Sequence, residues 1–62
     1  MRIKLERIRK RMTQKELALK SGVSRYLISK AEHGDYSKLT YEKMSKLSEV
    51  LGVGVKDLFF GK

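Results

Sequence analysis

The stretch TQKELALKSGVSRYLISKAEHG, residues 13–34, has the pattern of two short helices joined by a glycine turn. Thr13 and Glu16 have the spacing of a capping box, in which a hydroxyl and a carboxylate each satisfy a free backbone donor. A helix is therefore predicted to begin after Thr13. Gly22 supplies the left-handed residue that ends this helix. Ser24 then caps a second helix, which begins at once.

Polar and basic residues occupy the outer side of the second predicted helix. Its inward stripe consists of Val23, Ile28, Ala31 and part of Glu32. The outward positions are therefore Arg25, Tyr26, Ser29 and Lys30. Only residues 21–23 separate the two helices, so they should meet at the steep angle of a helix-turn-helix. In that geometry the first helix crosses the phosphate backbone of DNA, and the second lies in the major groove with its first residues on base edges.

Caps and apolar spacing predict three further helices, so the expected fold class is all-α with five helices. The first spans roughly residues 2–10. Its apolar positions are Ile3, Leu5 and Ile8, and Met12 continues them after the helix. Arg11 then falls at a left-handed position that would favour glycine. Thr40 caps the fourth helix, whose inward face is predicted to contain Tyr41, Met44, Leu47, Ser48 and Leu51. A last turn, residues 55–60, contributes Leu58 and Phe59 to the core.

The composition describes a small and strongly basic chain of 62 residues with a net charge of +8. Residues 1–34 contain ten Lys or Arg against three Asp or Glu, whereas residues 35–62 contain five against four. This asymmetry favours a polyanionic partner, most commonly nucleic acid. The alternative is that the lysines only keep a small helical protein in solution.

Several other classes of protein are disfavoured by the composition. The chain has no cysteine and one histidine, His33, so no metal, cofactor or disulfide is predicted. It has no apolar run long enough to span a bilayer and no signal-peptide pattern, so we expect a cytoplasmic protein without a membrane partner. An enzyme is not predicted, because no carboxylate pair, nucleophile with a base, or phosphate loop is present. A basic module that binds a membrane surface or another protein through residues 2–11 remains an alternative, although their apolar positions are few.

The chain resembles the phage repressor and Cro type of helix-turn-helix proteins, the Xre family, over nearly its whole length. The matching features are Arg7, TQKELALKSGVS at 13–24, IS at 28–29, EHG at 32–34 and LGVGVKDLF at 51–59. The resemblance implies a single five-helix repressor-like DNA-binding domain over residues 1–62. It also implies a homodimer on a pseudo-palindromic operator. In two departures from the usual pattern, Arg11 replaces a frequent glycine and Ala31 is smaller than usual.

The resemblance implies roles for individual side chains. The base contacts would be Arg25, Tyr26 and Lys30. The phosphate contacts would include Gln14, with Ser24, Leu27 and Ser29 near phosphates or thymine methyl groups, and the basic residues add Arg11 and Lys38. Arg7 and Glu32 would form a buried ion pair between the first and third helices. Alternatives stay open for the base-reading set, since Arg25 or Lys30 could contact phosphates and Tyr26 could simply cover apolar surface.

Two adjacent aromatic residues near the C-terminus, Phe59 and Phe60, cannot both belong to the core. A dimer interface that includes these residues would cover the exposed ring.

The helix-turn-helix pattern, the positive charge and the resemblance together predict a sequence-specific DNA-binding transcriptional regulator, most simply a dimeric repressor that reads its operator through the major groove of double-stranded DNA.

Overall fold

The computed structural model describes residues 2–61, and these residues are helical with connecting turns. The helices are α1 (Arg2–Arg9), α2 (Gln14–Ser21), α3 (Arg25–Glu32), α4 (Tyr41–Leu51) and α5, a short π-helical segment (Lys56–Phe60). Residues 2–61 include no strand, so the predicted all-α class with five helices is confirmed. Within the same range, every helix is too short or too polar to cross a membrane.

Side-chain caps set the start of α2, α3 and α4, as predicted. The Thr13 hydroxyl accepts a hydrogen bond from the Glu16 backbone nitrogen at 3.0 Å, and the Glu16 carboxylate accepts one from the Thr13 nitrogen at 2.8 Å. Ser24 and Thr40 accept hydrogen bonds from the backbone nitrogens three residues further on, at 3.1 and 3.2 Å. Each cap satisfies a donor that the helix start leaves free, which is worth about 1 kcal/mol.

Left-handed residues follow α1, the helix before the helix-turn-helix, and α2, the first helix of the motif. Gly22, with φ of 77°, follows α2 and donates its backbone N–H to the Ala18 carbonyl. Arg11, in the turn between α1 and α2, has φ of 56°, the left-handed position predicted for it. For an L-residue that conformation costs about 1–2 kcal/mol, a cost that glycine avoids.

The core lies between the helices, with α2 packed against both α3 and α4 while α1 packs against α3 and α5. Its buried apolar side chains are Ile3, Leu17, Val23, Ile28, Ala31, Leu39, Met44, Leu47, Leu51, Leu58 and Phe59. Because α3 packs against both α1 and α2, these two helices together fix its position.

The apolar positions of α1 divide between the core and the surface. Ile3 is fully buried, whereas Leu5 and Ile8 are 55% and 53% exposed. At about 100° per residue, they lie roughly 160° and 140° from Ile3 around the helix. Glu6 lies on the buried side and accepts a hydrogen bond from Arg2 Nε at 2.9 Å. The inward face of α1 therefore combines an apolar side chain, Ile3, with a charged one, Glu6.

One predicted member of the α4 face is wrong. Tyr41 is 70% exposed, whereas Met44, Leu47 and Leu51 are buried as expected. Tyr41 is the first residue of α4 and stands on the flank of the buried face, so its ring projects past the core.

Candidate nucleic-acid interface

The outer face of α3 presents the predicted base-reading residues. Arg25 and Tyr26, the first two residues of the helix, are exposed next to the Ser24 cap. Ile28 and Ala31, on the inward side of the same helix, are fully buried. Helix α3 is therefore anchored in the core along its inward side and exposed at its first turn.

Further along α3, the predicted contact residues are less open. Ser29 and Lys30 are half-buried. Leu27, predicted to lie beside phosphates or thymine methyl groups, is also half-buried and packs against the core. The exposed end of this face is therefore the N-terminal end of α3.

Lys30 is held between two side chains. Its Nζ lies 3.2 Å from Asp35 Oδ2 and 5.3 Å from the centre of the Tyr26 ring. The hydrogen bond to Asp35, followed by the interaction with Tyr26, raises the pKa of Lys30 above its usual value. The Ser37 hydroxyl, the Ser37 backbone N–H and Lys30 lower the pKa of Asp35 to about 2. Both groups are therefore charged at neutral pH.

Asp35 has no predicted role from the sequence. The only local signal is an acidic residue directly after the glycine that follows a helix with a basic last turn. That signal does not identify the partner of the carboxylate, because the contact with Lys30 depends on the conformation of the turn, which the sequence does not specify.

A second network joins α1, α2 and α3 through the buried carboxylate of Glu32. Arg7 donates from Nε to Glu32 Oε2 at 2.6 Å and from a terminal nitrogen to Oε1 at 3.2 Å. Another Arg7 nitrogen donates to the Met12 carbonyl at 2.8 Å. The Gln14 amide donates to Glu32 Oε1 at 2.9 Å. Gln14, predicted as a phosphate contact, is thus fixed in direction by the same carboxylate that holds Arg7.

The pKa of Glu32 is set by opposing effects. Burial of the carboxyl group, the largest of them, raises the pKa. The hydrogen bonds from Arg7 and Gln14, with the positive charges of Arg7 and Lys4, lower it and together outweigh burial. The pKa of Glu32 therefore lies below its usual value, and the carboxylate is ionised at neutral pH.

The remaining predicted phosphate contacts lie on the surface near these helices in the chain. Arg11 is exposed two residues before the Thr13 cap, and Lys38 is exposed in the loop before α4. In the described part of the chain, no group of three or more His, Cys, Asp or Glu residues could hold a metal ion. His33 Nδ1 lies 2.8 Å from the Ser29 carbonyl oxygen at the end of α3.

The two C-terminal aromatic residues differ in exposure. Phe59 is 7% exposed, and its ring meets that of Tyr36 edge to face at 5.2 Å. Phe60 is 61% exposed. Phe59, predicted together with Phe60 for a dimer interface, therefore belongs to the core, and Phe60 is the ring of this pair that a partner could cover.

Comparison with known protein families identifies the family to which the chain belongs. A family model described as helix-turn-helix matches residues 3–58, which include all but the first residue of α1, the whole of α2 to α4 and the start of α5. No curated protein and no solved structure gave a significant match. The family is one of DNA-binding regulators and not of enzymes. The chain belongs to the Xre/Cro-like helix-turn-helix family and is a DNA-binding transcription regulator.

Proposed function

We propose that the protein is a sequence-specific dimeric repressor that inserts α3 into the major groove of a pseudo-palindromic operator, with residues 1–62 acting as one DNA-binding domain. One observation supports this most directly. Arg25 and Tyr26 are exposed at the first turn of α3, while Ile28 and Ala31 hold the inward side of the helix in the core. A rigid helix with an open N-terminal face meets the requirement for reading bases.

The base contacts are made by Arg25, Tyr26 and Lys30. A guanidinium donates two parallel hydrogen bonds to guanine O6 and N7, which discriminates against a wrong base by about 1–3 kcal/mol. The helix dipole disfavours a cation at the N-terminus, so Arg25 adds no local stability there. That placement supports a role in binding. Tyr26 contacts a thymine methyl group or a phosphate.

The proposed phosphate contacts lie near the start of α2, along α3 with its cap, and in the loop before α4. They are Gln14, Ser24, Leu27, Ser29, Arg11 and Lys38. Helix N-termini favour anions, and such contacts set the register of a protein on DNA without reading its sequence. The hydrogen bond from Gln14 to Glu32 uses one of the two amide hydrogens, so the other remains for a phosphate oxygen.

Selection of binding sites from a random duplex pool tests this function. We expect a palindrome with half-sites about one helical turn apart. Arg25→Ala should change the preferred base at one position of each half-site, whereas Gln14→Ala should weaken all sites alike. Lys56→Ala removes a cation from α5, outside the proposed interface, and is the matched control. If Arg25→Ala and Lys56→Ala selected the same sequences with equal affinity, the base-reading role would be refuted.

Salt dependence tests the phosphate contacts independently of base reading. For about 6–10 neutralised phosphates, affinity should fall about 10³–10⁵-fold between 50 and 200 mM salt. Fluorescence anisotropy with a labelled operator measures this slope. A fall of less than about tenfold would mean that few of the proposed phosphate contacts form.

A second candidate function follows from the exposed face of α1. Leu5 and Ile8 lie opposite the buried Ile3, between the exposed cations Lys4 and Arg9. Such a face could bind an anionic membrane surface. Binding to anionic vesicles without binding to duplex DNA would favour this function, whereas the opposite result favours the repressor.

A further inference from the structure

We propose that Asp35 determines base specificity by positioning Lys30 on the outer face of α3. This inference rests on the proposed function, since it assigns a role within the same DNA-binding surface. Asp35 lies in the turn after α3 and is not itself a proposed DNA contact. It acts through the lysine that it holds.

Hydrogen bonds within the turn fix the Asp35 carboxylate independently of its contact with Lys30. Its Oδ1 accepts hydrogen bonds from the Ser37 hydroxyl at 2.6 Å and from the Ser37 backbone nitrogen at 3.0 Å. Its own backbone N–H donates to the Lys30 carbonyl at 2.9 Å. The second oxygen, Oδ2, is left for the Lys30 ammonium at 3.2 Å. The turn therefore provides a rigid acceptor for a flexible side chain.

The Tyr26 ring is the second group that contacts the Lys30 ammonium. The Lys30 nitrogen stands 5.3 Å from the centre of its ring, within the range of a cation–π contact. A free lysine samples many rotamers and loses conformational entropy when it is fixed. In this protein the side chain is already restricted in the absence of DNA. Of its three N–H donors, one is directed to Asp35, and two remain for an acceptor on a base.

Pairing also changes how Lys30 responds to phosphates. A free lysine attracts any phosphate and adds to sequence-independent affinity. The carboxylate of Asp35 neutralises that attraction and repels phosphates that approach in a wrong register, which disfavours incorrect sites. The hydrogen bonds that Lys30 can still donate match the two major-groove acceptors of guanine, O6 and N7. With the ion pair, Lys30 acts less as a positive charge that attracts any phosphate and more as a hydrogen-bond donor directed at a base.

The variant Asp35→Asn tests this role because it removes the charge and keeps an oxygen that can accept the Ser37 hydrogen bonds. We expect affinity for non-specific duplex to rise and the salt slope to steepen by about 0.9, the value of one added phosphate contact. At one base position of each half-site, the preference should fall from about tenfold towards none. Site selection and anisotropy measure these three quantities.

Three control variants separate the charge, the turn and the lysine. Glu49→Gln makes the same charge change on the exposed side of α4 and should alter neither base preference nor non-specific affinity. Ser37→Ala removes one of the hydrogen bonds that fix the carboxylate but keeps its charge, so base preference should fall less than in Asp35→Asn. Lys30→Ala should lose preference at the same base position as Asp35→Asn, and the double variant should lose no more than Lys30→Ala alone.

The outcomes distinguish this inference from the proposed function. If Lys30→Ala lost base preference while Asp35→Asn kept both the preference and the salt slope, the positioning role of Asp35 would be overturned and the repressor function would stand. If the wild-type protein selected no duplex sequence, both would fail. An NMR titration of the Lys30 ammonium without DNA adds a direct readout. Its pKa should fall towards the usual lysine value in Asp35→Asn, and an unchanged pKa would contradict the pairing.

Discussion

Glu32 is the residue at which three helices meet. Its carboxylate, on α3, accepts hydrogen bonds from Arg7 of α1 and Gln14 of α2. The Glu32 and Arg7 side chains are only 3% and 12% exposed, so both charges are largely removed from water. A buried pair of this kind need not stabilise a protein relative to apolar residues, but the loss of one partner leaves an uncompensated charge.

Arg7→Ala should therefore destabilise the protein by about 3–5 kcal/mol. That is a large share of the stability of a native protein, which is about 5–15 kcal/mol and lies towards the low end for a short chain. Urea unfolding followed by circular dichroism measures the loss. Arg9→Ala, whose exposed guanidinium lies 3.5 Å from Glu6, is the control and should cost less than about 1 kcal/mol. Equal losses in the two variants would show that the Glu32 carboxylate does not depend on Arg7.

The lowered pKa of Glu32 gives stability a defined dependence on pH. Because the folded pKa lies below the usual value of 4.5, the contribution of Glu32 is present above pH 4.5. It is lost as pH falls from that value through the folded pKa. We expect Glu32→Gln to be less stable than wild type at pH 7 and to lose less stability on acidification. Urea unfolding between pH 7 and pH 3 tests this, and parallel pH profiles would contradict it.

At the scale of helices, the starts and ends could be predicted from the sequence because caps depend on local spacing. Thr13, Ser24 and Thr40 cap the helices assigned to them. The inward face of a helix depends on its tertiary partners, which spacing alone does not specify. The predicted inward orientation of Tyr41 was therefore wrong. The same reason applies to the candidate site, where exposure of Arg25 was predictable but the contact between Lys30 and Asp35 was not.

The turn of the helix-turn-helix depends on Gly22. A β-carbon added there would meet no atom within 4 Å, so the cost of Gly22→Ala comes from the left-handed backbone alone. We expect a loss of about 1–2 kcal/mol in urea unfolding. Gly54→Ala is the matched control, because its added β-carbon also meets no atom within 4 Å and its φ lies outside the left-handed region. A Gly22→Ala protein as stable as Gly54→Ala would show that the turn relaxes to another conformation.

At the scale of the whole molecule, size and charge suit a pair of copies on one face of DNA. The described part of the chain measures 24 × 21 × 19 Å. Half-sites one helical turn apart are separated by about 34 Å, so two copies fit side by side. Most of the excess positive charge belongs to residues 1–34, which contain α1, α2 and α3.

Phe60→Ser tests the proposed dimer contact. Because the Phe60 ring is largely exposed, the variant should fold normally, yet sedimentation should show a shift from dimer to monomer. Affinity for a palindromic site should fall, while affinity for a single half-site should not change. Leu19→Ser, which also removes an exposed apolar side chain, is the control and should remain dimeric. A dimeric Phe60→Ser protein would place the interface elsewhere.

The bond between Gln14 and Glu32 has a consequence for genetic screens. Amino-acid changes in α1 that tilt Arg7 will disturb the amide of Gln14 through their shared carboxylate. Selections for lost operator occupancy should therefore recover alleles in the first helix that never approach a nucleotide. Because binding to DNA tightens as the ionic strength falls, lowering it should partly restore operator binding by those products that stay folded.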